Sequence, residues 1–426
     1  SGEPIKSAIN ISSFIKKIDP EIFTVWGGPH ATYYPESIFE CLSCDFVISG
    51  FGSKPLYKLY KSLLDNKKED FKLISGLSYK IESTIHRNSI EYQFEHIHFK
   101  DIPYNLIKDY SPYGQLNSTN IIFPIYSIIG CAYNCTFCSS PAYYKNFPHR
   151  CFFISPNEVI DHIIFLLKRY QAKHIYFIDD DSFINLKHIE DIIDLILQRK
   201  IKVKLGFRGA RINEIKKMSS SFLKKLEQVG VNSLHVGAES GSNYLLNLIK
   251  KDCCVNDILE CNKKLSAFNI TIYYNFILGI PGERTEDIKD TISLMFKLIK
   301  ENKNCIILSP NRFRPVIGSE LSNSLIDKYP QIFPKNLAIW SEYENDGQFG
   351  KLPWIPNTHH KFHDMIALTC YFIDDKYKFI QIKGLFSIIL KFSSAIYAPI
   401  ARFRLRHGLY HFFLEKKFYY ALKYIY

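Results

Sequence analysis

Three cysteines within one short stretch are the residues best suited to chemistry: Cys131, Cys135 and Cys138, in the pattern C-x3-C-x2-C. This spacing lets one tight loop present three thiolates to a single small inorganic cluster. A [4Fe–4S] cluster has four irons, so three thiolates leave one iron without a protein ligand. An iron with an open position can bind a substrate, as an open position does on a catalytic zinc ion.

Two simpler interpretations exist for the same cysteines. They could bind a structural zinc ion with His149 or Cys151 as the fourth ligand, since structural zinc takes four ligands. They could also be unrelated buried thiols, because cysteine is often buried. We favour the cluster, because polar residues recur at the expected places further along the chain.

The composition is that of a globular protein of two or three domains. The chain has 426 residues, of which 46% are hydrophobic and 23% charged. Its eleven cysteines, an odd number without a secretory leader, argue for a reducing compartment, so we expect a cytoplasmic protein. The net charge of +12 could attract nucleic acid, an anionic membrane or an anionic substrate. A solvated lysine-rich surface is the alternative, and it is the interpretation that we favour.

No stretch reaches the ~20 uninterrupted apolar residues of a membrane span. The closest, Leu385 to Ala401, is interrupted by Lys391 and Pro399. We predict a buried or interfacial helix there.

The centre of the chain alternates strand and helix patterns. Proline and glutamate after Ser155 form a helix-start signal, and apolar residues then recur at helical spacing. Six β/α units imply a parallel sheet with right-handed crossovers, so the predicted fold class is α/β with a partial (β/α)6 barrel. The predicted strands cover residues 121–129, 174–178, 203–207, 233–237, 271–278 and 305–309.

Polar or glycine-rich residues follow all six predicted strands. In barrels of parallel strands, chemistry takes place at the C-terminal strand ends. The sequence therefore predicts one site at this edge of the sheet. The residues at these ends are the three cysteines, Asp180 and Asp181, Arg208 and Arg211, Glu239, Gly279–Glu283, and Arg312 and Arg314.

The cysteine pattern, with Phe137 before its last member, resembles the signature of the radical S-adenosylmethionine superfamily. The later motifs resemble its cobalamin-associated branch. The resemblance implies a [4Fe–4S] cluster on the three cysteines, whose open iron chelates the amino and carboxylate groups of S-adenosylmethionine. One electron, from a flavodoxin or ferredoxin partner, then cleaves the sulfonium to a 5′-deoxyadenosyl radical.

The resemblance also assigns cofactor-binding residues. The stretch 177–183 is similar to an acidic motif that lies near the methionine part of S-adenosylmethionine. There, Asp180 or Asp181 could accept hydrogen bonds from the ammonium group of the cofactor. The alternative is that these aspartates cap the N-terminus of a helix. The stretch 235–242 resembles a fourth-strand motif, whose Glu239 and Ser240 would face the sulfonium or ribose.

The remaining assignments concern residues near the adenine of S-adenosylmethionine and an arginine after the third predicted strand. The stretch 275–283 is similar to the fifth-strand motif that borders adenine, which assigns Asn275, Gly279, Gly282 and Glu283 to cofactor binding. Phe137 would lie beside the same ring. Arg211 stands where relatives often have an arginine; a surface salt bridge is the alternative.

Residues 1–97 resemble the second half of a doubly wound cobalamin-binding domain. Strand patterns enter glycine turns at Gly27–Gly28 and at Gly50–Gly52, where a cofactor rests in such domains. The first half, with the histidine that ligates cobalt, is absent. We therefore expect a truncated chain in which cobalamin binding is doubtful. Residues 98–119 resemble the interdomain linker, and 120–314 form the barrel.

Residues 315–426 form a mainly helical region that, in relatives, covers the barrel and shapes the substrate pocket. Five basic residues there could hold an anionic substrate or lie on a membrane surface; a solvated amphipathic helix is the alternative. These residues are Arg402, Arg404, Arg406, His407 and Lys416.

The hypothesis is a radical S-adenosylmethionine enzyme for methylation or rearrangement of a small-molecule, natural-product or lipid-like substrate. One alternative is an RNA-modifying methylthiotransferase, although the N-terminal part has only Cys41 and Cys44 for a second cluster and nucleic acid is not expected. Another is a non-catalytic iron–sulfur or zinc protein that serves binding or electron transfer.

Overall fold

The computed structural model describes residues 2–110, 121–330, 333–334, 336–342, 352–374 and 385–409. Lys416 lies outside these residues. The chain forms two compact units. The first comprises Ser1–Ile97, Phe137–Arg150 and Pro315–Pro353, and the second comprises His98–Thr136, Cys151–Arg314 and Trp354–Tyr426. The four-part domain division remains a prediction.

The first unit is built on a four-stranded sheet in the order β1-β2-β3-β4. The strands β1 and β2 are parallel, as predicted, and the antiparallel hairpin of β3 and β4 was not predicted. The elements are α1 (Glu3–Ile18), β1 (Val25–Trp26), α2 (Pro29–Tyr33), α3 (Pro35–Ile38), β2 (Phe46–Ile48), α4 (Ser53–Leu64), β3 (Leu77–Ile81), β4 (Thr84–Arg87), α5 (Ser139–Tyr144), α13 (Glu320–Ile326) and α14 (Leu337–Glu342).

The second unit contains the predicted parallel sheet. Its strand order is β12-β11-β10-β9-β8-β5, and all neighbours are parallel. The short strand β13 also pairs in parallel with the C-terminal end of β11. Because β5 and β12 are the two edges of this sheet within the described residues, the sheet is the open, partial barrel expected. The strands are β5 (Ile122–Ile125), β6 (Ile128–Gly130), β7 (Cys151–Phe153), β8 (His174–Phe177), β9 (Lys204–Ala210), β10 (Val231–Glu239), β11 (Thr271–Leu278), β12 (Cys305–Ile307) and β13 (Asn311–Arg312).

Helices between the strands cover the sheet with apolar faces. Ser155 caps α6 by accepting a hydrogen bond from the backbone N–H of Glu158, as the sequence predicted. Isoleucine and leucine of these helices pack with the strands in one hydrophobic core. The helices are α6 (Pro156–Tyr170), α7 (Leu186–Gln198), α8 (Ile212–Lys217), α9 (Ser220–Gln228), α10 (Asn243–Leu248), α11 (Val255–Leu265), α12 (Thr285–Glu301), α15 (Asn357–Thr369) and α16 (Leu385–His407).

The prediction of one continuous strand over residues 121–129 was wrong. The segment forms β5 and β6, separated at Tyr126 and Ser127, and β6 leaves the main sheet to pair antiparallel with β7. The cause is Asp179 at the end of β8. Its carboxylate accepts hydrogen bonds from the N–H and hydroxyl of Ser127 and from the N–H of Ile128.

In the part of the chain that the structure describes, the C-terminal segment of the second unit is mainly helical, as predicted. Ala401 and Leu405 of α16 join the core of the barrel, and α16 continues through Pro399. Among the described residues, no helix is both long and apolar enough to cross a membrane.

Candidate active site

The cysteine loop follows β6, which ends at Gly130, and is held by the segment after α10. The N–H of Thr136 donates to the carbonyl of Ile249 over 3.1 Å. Cys131 and Cys135 are buried. Cys131 and Cys135 therefore have fixed positions in the barrel unit.

Arg211, at the C-terminal end of β9, contacts this loop directly. Its Nη1 donates to Sγ of Cys135 over 2.8 Å, and its Nη2 donates to the carbonyl of Lys251 over 2.7 Å. The guanidinium carbon lies 3.6 Å from the centre of the Tyr133 ring. Burial lowers the pKa of Arg211, but the Cys135 sulfur, together with the charges of Asp181 and Cys131, outweighs burial and the pKa is raised. Arg211 is thus a fixed cation against a cysteine sulfur rather than a surface salt bridge.

Glu239, the last residue of β10, forms a buried ion pair with Lys251. The Nζ of Lys251 lies 2.6 Å from Oε1 of Glu239, and both side chains are less than 10% exposed. Burial lowers the pKa of Lys251, but the charge and hydrogen bond of Glu239, together with the charge of Cys135, outweigh burial and the pKa is raised. Glu239 also has a φ of 61°, a backbone conformation that non-glycine residues rarely adopt and that often marks functional sites.

Gly237 makes room for this ion pair. A Cβ atom at position 237 would lie 2.2 Å from Oε1 of Glu239 and 2.7 Å from Nζ of Lys251. The pairing of β10 with β11 shifts register between Gly237 and Glu239, so the strand bulges where the carboxylate turns inward. The glycine of the fourth-strand motif is therefore required by packing.

The three consecutive aspartates after β8 have different environments. Asp179 is buried and ties β8 to Ser127, so its role is structural. Asp180 is exposed. Asp181 is buried with Oδ1 accepting from the N–H of Phe183, whereas Oδ2 has no hydrogen-bond partner. Burial raises the pKa of Asp181 to about 6, although the charges of Arg211 and Lys251 oppose this shift.

Ser240 belongs to a buried network that joins β10 to α12. Its hydroxyl lies 3.2 Å from Oγ1 of Thr291 and accepts from the N–H of Ser242. Ser242 in turn donates to Asp287 over 2.5 Å. These contacts hold the backbone that follows Glu239.

The turn after β11 is stabilised by its own residues. Gly279 has a φ of 74°, and its N–H donates to Oε2 of Glu283 over 2.9 Å. The same carboxylate oxygen lies 2.7 Å from Nε2 of His363, although that pair lacks the angle of a hydrogen bond. Gly282 also has a positive φ of 92°. Within the turn, Glu283 therefore fixes the backbone that the sequence assigned to adenine.

The other predicted site residues lie at separate places. Asn275 is half-buried in β11, opposite Gly237. Phe137 and Cys138 belong to the first unit and are half-buried there, with Cys138 at the N-cap of α5. The structure thus brings together Cys135, Arg211 and Asp181 with the Glu239–Lys251 pair.

Sequence reasoning missed Lys251 altogether. The residue lies between α10 and α11, outside every strand end, and its neighbours Lys250 and Asp252 both have positive φ. An acid at the end of a buried strand needs a counter-charge, so Glu239 was a signal that a buried cation had to exist. Nothing in the local sequence indicated which lysine supplies it.

The residues of this site fit a cysteine-bound cluster with a zwitterionic ligand. A cationic donor touches the sulfur of Cys135, and two atoms remain buried without hydrogen-bond partners, Nε of Arg211 and Oδ2 of Asp181. Within the described residues, no three histidine, cysteine or acidic side chains are grouped to hold a single metal ion. A [4Fe–4S] cluster differs from a single metal ion, because each of its thiolates binds a different iron.

The first unit supports cobalamin binding less well than the barrel unit supports binding of the cluster. Beyond β2, the ring of Phe51 packs against Phe94, Tyr143 and Phe147. The cavity beside this turn has a volume of about 50 Å³, too small for a corrin or its nucleotide tail. We therefore derive no role for cobalamin from these residues.

A partial (β/α)6 barrel with a three-cysteine loop after its first strands defines the class of protein. Residues 125–295 match the model of the Radical SAM superfamily. The chain therefore carries a radical S-adenosylmethionine domain, and this superfamily uses a [4Fe–4S] cluster and S-adenosylmethionine.

Two curated relatives are similar over most of the chain. An uncharacterized methyltransferase of Pyrococcus horikoshii is 28% identical, over 71% of this chain and 64% of the relative. The anaerobic magnesium-protoporphyrin IX monomethyl ester cyclase of Rubrivivax gelatinosus is 21% identical, over 75% of this chain and 57% of the relative. The chain thus spans less than two thirds of the length of either relative.

A solved structure shares the fold. The cobalamin-dependent S-adenosylmethionine radical enzyme OxsB, with aqua-cobalamin bound, aligns with a TM-score of 0.62 at 18% identity. The alignment covers 95% of this chain and 63% of that one. At this identity the likeness supports the fold alone.

Proposed function

We propose that this chain is a radical S-adenosylmethionine enzyme that acts on a small molecule. When bound, the [4Fe–4S] cluster would supply the electron that cleaves the sulfonium of S-adenosylmethionine. Cys131, Cys135 and Cys138 would hold the cluster. The observation that carries the proposal is the contact of Arg211 with Sγ of Cys135 beside the unpartnered Oδ2 of Asp181.

The charges of the site suit the methionine part of the cofactor. Its ammonium group requires an acceptor, which Oδ2 of Asp181 supplies, and its carboxylate requires a donor, which Nε of Arg211 supplies. Both atoms are buried and without hydrogen-bond partners, and charged hydrogen bonds of this kind contribute about 1.5–3 kcal/mol each. The Glu239–Lys251 pair places a further carboxylate nearby, which would favour the positive sulfonium with the part of its charge that Lys251 does not offset.

The reaction we propose is methyl transfer, because a relative that covers most of this chain is named a methyltransferase. One S-adenosylmethionine would give the 5′-deoxyadenosyl radical, which takes a hydrogen atom from the substrate. A second S-adenosylmethionine would donate the methyl group and leave as S-adenosylhomocysteine, and the electron donor would supply one electron for each of these two steps. The other relative is named a cyclase, so ring formation is the alternative outcome. The same proposal includes a small molecule as the substrate and a flavodoxin or ferredoxin as the electron donor.

Product analysis tests the proposal. The protein would be reconstituted anaerobically with iron and sulfide, reduced with dithionite, and incubated with S-adenosylmethionine. We expect 5′-deoxyadenosine and methionine in the wild-type reaction and neither product with Cys135→Ala. Cys253→Ala, at a half-buried cysteine outside the loop, is the matched control and should retain the activity. Intact S-adenosylmethionine in every reaction, with a cluster present, would favour the electron-transfer alternative.

A further inference from the structure

A second feature of the barrel unit lies away from the cysteine loop. A cleft of about 930 Å³ is lined by residues of α12, α15 and the C-terminal end of α16. None of the cysteine-loop residues lines it. We call this cleft the basic cleft, because its ionisable lining residues among the described part of the chain are four cations and two histidines: Lys289, Lys297, Lys300, Arg406, His359 and His407.

The basic cleft also has an apolar side. Ile292, Phe362 and Leu405 line it and are buried. The guanidinium of Arg406 lies 5.5 Å from the centre of the Phe296 ring. Cations with apolar side chains beside them match a ligand that has an anionic head and a hydrocarbon part.

An exposed apolar stripe on α16 leads to the same place. Ile396, Ile400 and Phe403 are 59%, 49% and 57% exposed, and their spacing places them on one face of the helix. The next residue of that face is His407, whose ring centre lies 4.4 Å from that of Phe403 and which lines the basic cleft. Contiguous exposed apolar surface of this kind marks a contact with a membrane or a partner.

We propose that α16 and the basic cleft bind the surface of a membrane that contains anionic phospholipids. The apolar stripe enters the boundary between headgroups and acyl chains, and the lysines of α12 contact phosphate groups. The sequence beyond α16, residues 410–426, is rich in tyrosine, phenylalanine and lysine, the residue types that favour a membrane interface. A nucleic acid fits less well, because two residues of the stripe are aliphatic and single strands bind by stacking on aromatic rings.

Vesicle flotation tests this proposal, with the full chain and two vesicle types. One is pure phosphatidylcholine, and the other contains about one quarter phosphatidylglycerol. The cleft variant is Lys289→Glu/Lys297→Glu. Its control is Lys224→Glu/Lys263→Glu, which makes the same change in net charge at two exposed lysines of α9 and α11. Ile400→Asp tests the apolar stripe, and thermal melting checks that each variant folds.

We expect the wild type to float with the phosphatidylglycerol vesicles and not with pure phosphatidylcholine. The cleft variant should bind about thirtyfold more weakly, since each of its two lysines contributes roughly fivefold at an anionic surface, and Ile400→Asp should also weaken binding. The control should bind within about threefold of the wild type. Equal losses in the cleft variant and its control would overturn the proposal, because binding would then follow net charge. Absence of vesicle binding, with salt-sensitive binding of a single-stranded RNA instead, would also overturn it.

Discussion

Nη1 of Arg211 lies 2.8 Å from Sγ of Cys135, and this hydrogen bond joins the end of β9 to the cysteine loop. The arginine cannot easily move away, because the Lys251 carbonyl and the Tyr133 ring hold its guanidinium. A fixed positive charge therefore lies against a sulfur that the proposed function assigns to the cluster.

The first prediction concerns the reduction potential of the cluster. Hydrogen bonds to cluster sulfurs help set that potential, and a cation stabilises the more negative, reduced form. Arg211→Gln should therefore lower the potential, by about 60 mV for each ~1.4 kcal/mol of lost preference in this one-electron couple. The measurement is a redox titration followed by electron paramagnetic resonance. Arg211→Lys retains the charge and should shift the potential less; equal potentials in all three proteins would contradict the prediction.

The second prediction concerns binding of S-adenosylmethionine. Asp181→Asn keeps the acceptor for the Phe183 N–H but removes the charge that would meet the cofactor's ammonium group. We expect affinity to fall by about ten- to a hundredfold, the worth of a charged hydrogen bond. Isothermal titration calorimetry on the reconstituted protein measures the affinity for S-adenosylmethionine.

Asp180→Asn is the control for Asp181→Asn. Asp180 is exposed, so this substitution should change the affinity by less than about threefold. A larger loss at Asp180 than at Asp181 would reverse our assignment within the acidic motif.

The third prediction concerns the buried ion pair. Lys251→Met leaves the carboxylate of Glu239 buried without its partner, and Glu239→Gln leaves the ammonium of Lys251 in the same position. Each should lower the free energy of unfolding by about 3–5 kcal/mol. The double variant should lose less unfolding free energy than the two single variants lose when their losses are added. Denaturant unfolding of the wild type, both single variants and the double variant measures these losses. Additive losses would show that the two charges do not stabilise each other.

The fourth prediction concerns Glu214 of α8, a residue that sequence reasoning did not single out. It is buried and neither carboxylate oxygen has a hydrogen-bond partner. Burial raises the pKa of Glu214 from 4.5 to about 7. Because the folded state favours the protonated acid, stability falls as pH rises from about 4.5 through 7. The full penalty above pH 7 is about 3 kcal/mol.

Glu214→Gln removes this penalty. Its free energy of unfolding should exceed that of the wild type by up to ~3 kcal/mol at about pH 8, and the difference should shrink towards pH 4.5. Urea denaturation at several pH values measures this difference. Glu286→Gln, at an exposed glutamate, should show no such trend; a pH-independent difference at Glu214 would mean that the carboxyl does not titrate as proposed.

The fold could be predicted from the sequence because its signals are local. Apolar periodicity and the Ser155 cap place the elements of the barrel, and six β/α units leave few topologies. The split of the first strand could not be predicted, because it depends on Asp179, just after β8, accepting hydrogen bonds from Ser127, some fifty residues earlier in the chain. The antiparallel hairpin β3–β4 carries no glycine turn of the usual kind.

The site was predictable in part for the same reason. The cysteine pattern and the residues at strand ends follow from spacing, so Arg211 and Glu239 could be named as candidates from the sequence. Their partners were not, because Lys251 meets Glu239 and Arg211 only through the fold. The sequence also gave no means of separating Asp181, with its unpartnered oxygen, from the structural Asp179.

Electron paramagnetic resonance tests the central claim most directly. The protein would be reconstituted anaerobically, reduced with dithionite, and measured with and without S-adenosylmethionine. The account predicts a reduced [4Fe–4S] signal whose g values shift when the cofactor is added, because the cofactor binds the open iron. A cluster signal that does not respond to the cofactor would contradict the enzymatic claim. A protein that takes up no iron, and binds zinc instead, would contradict the assignment of Cys131, Cys135 and Cys138.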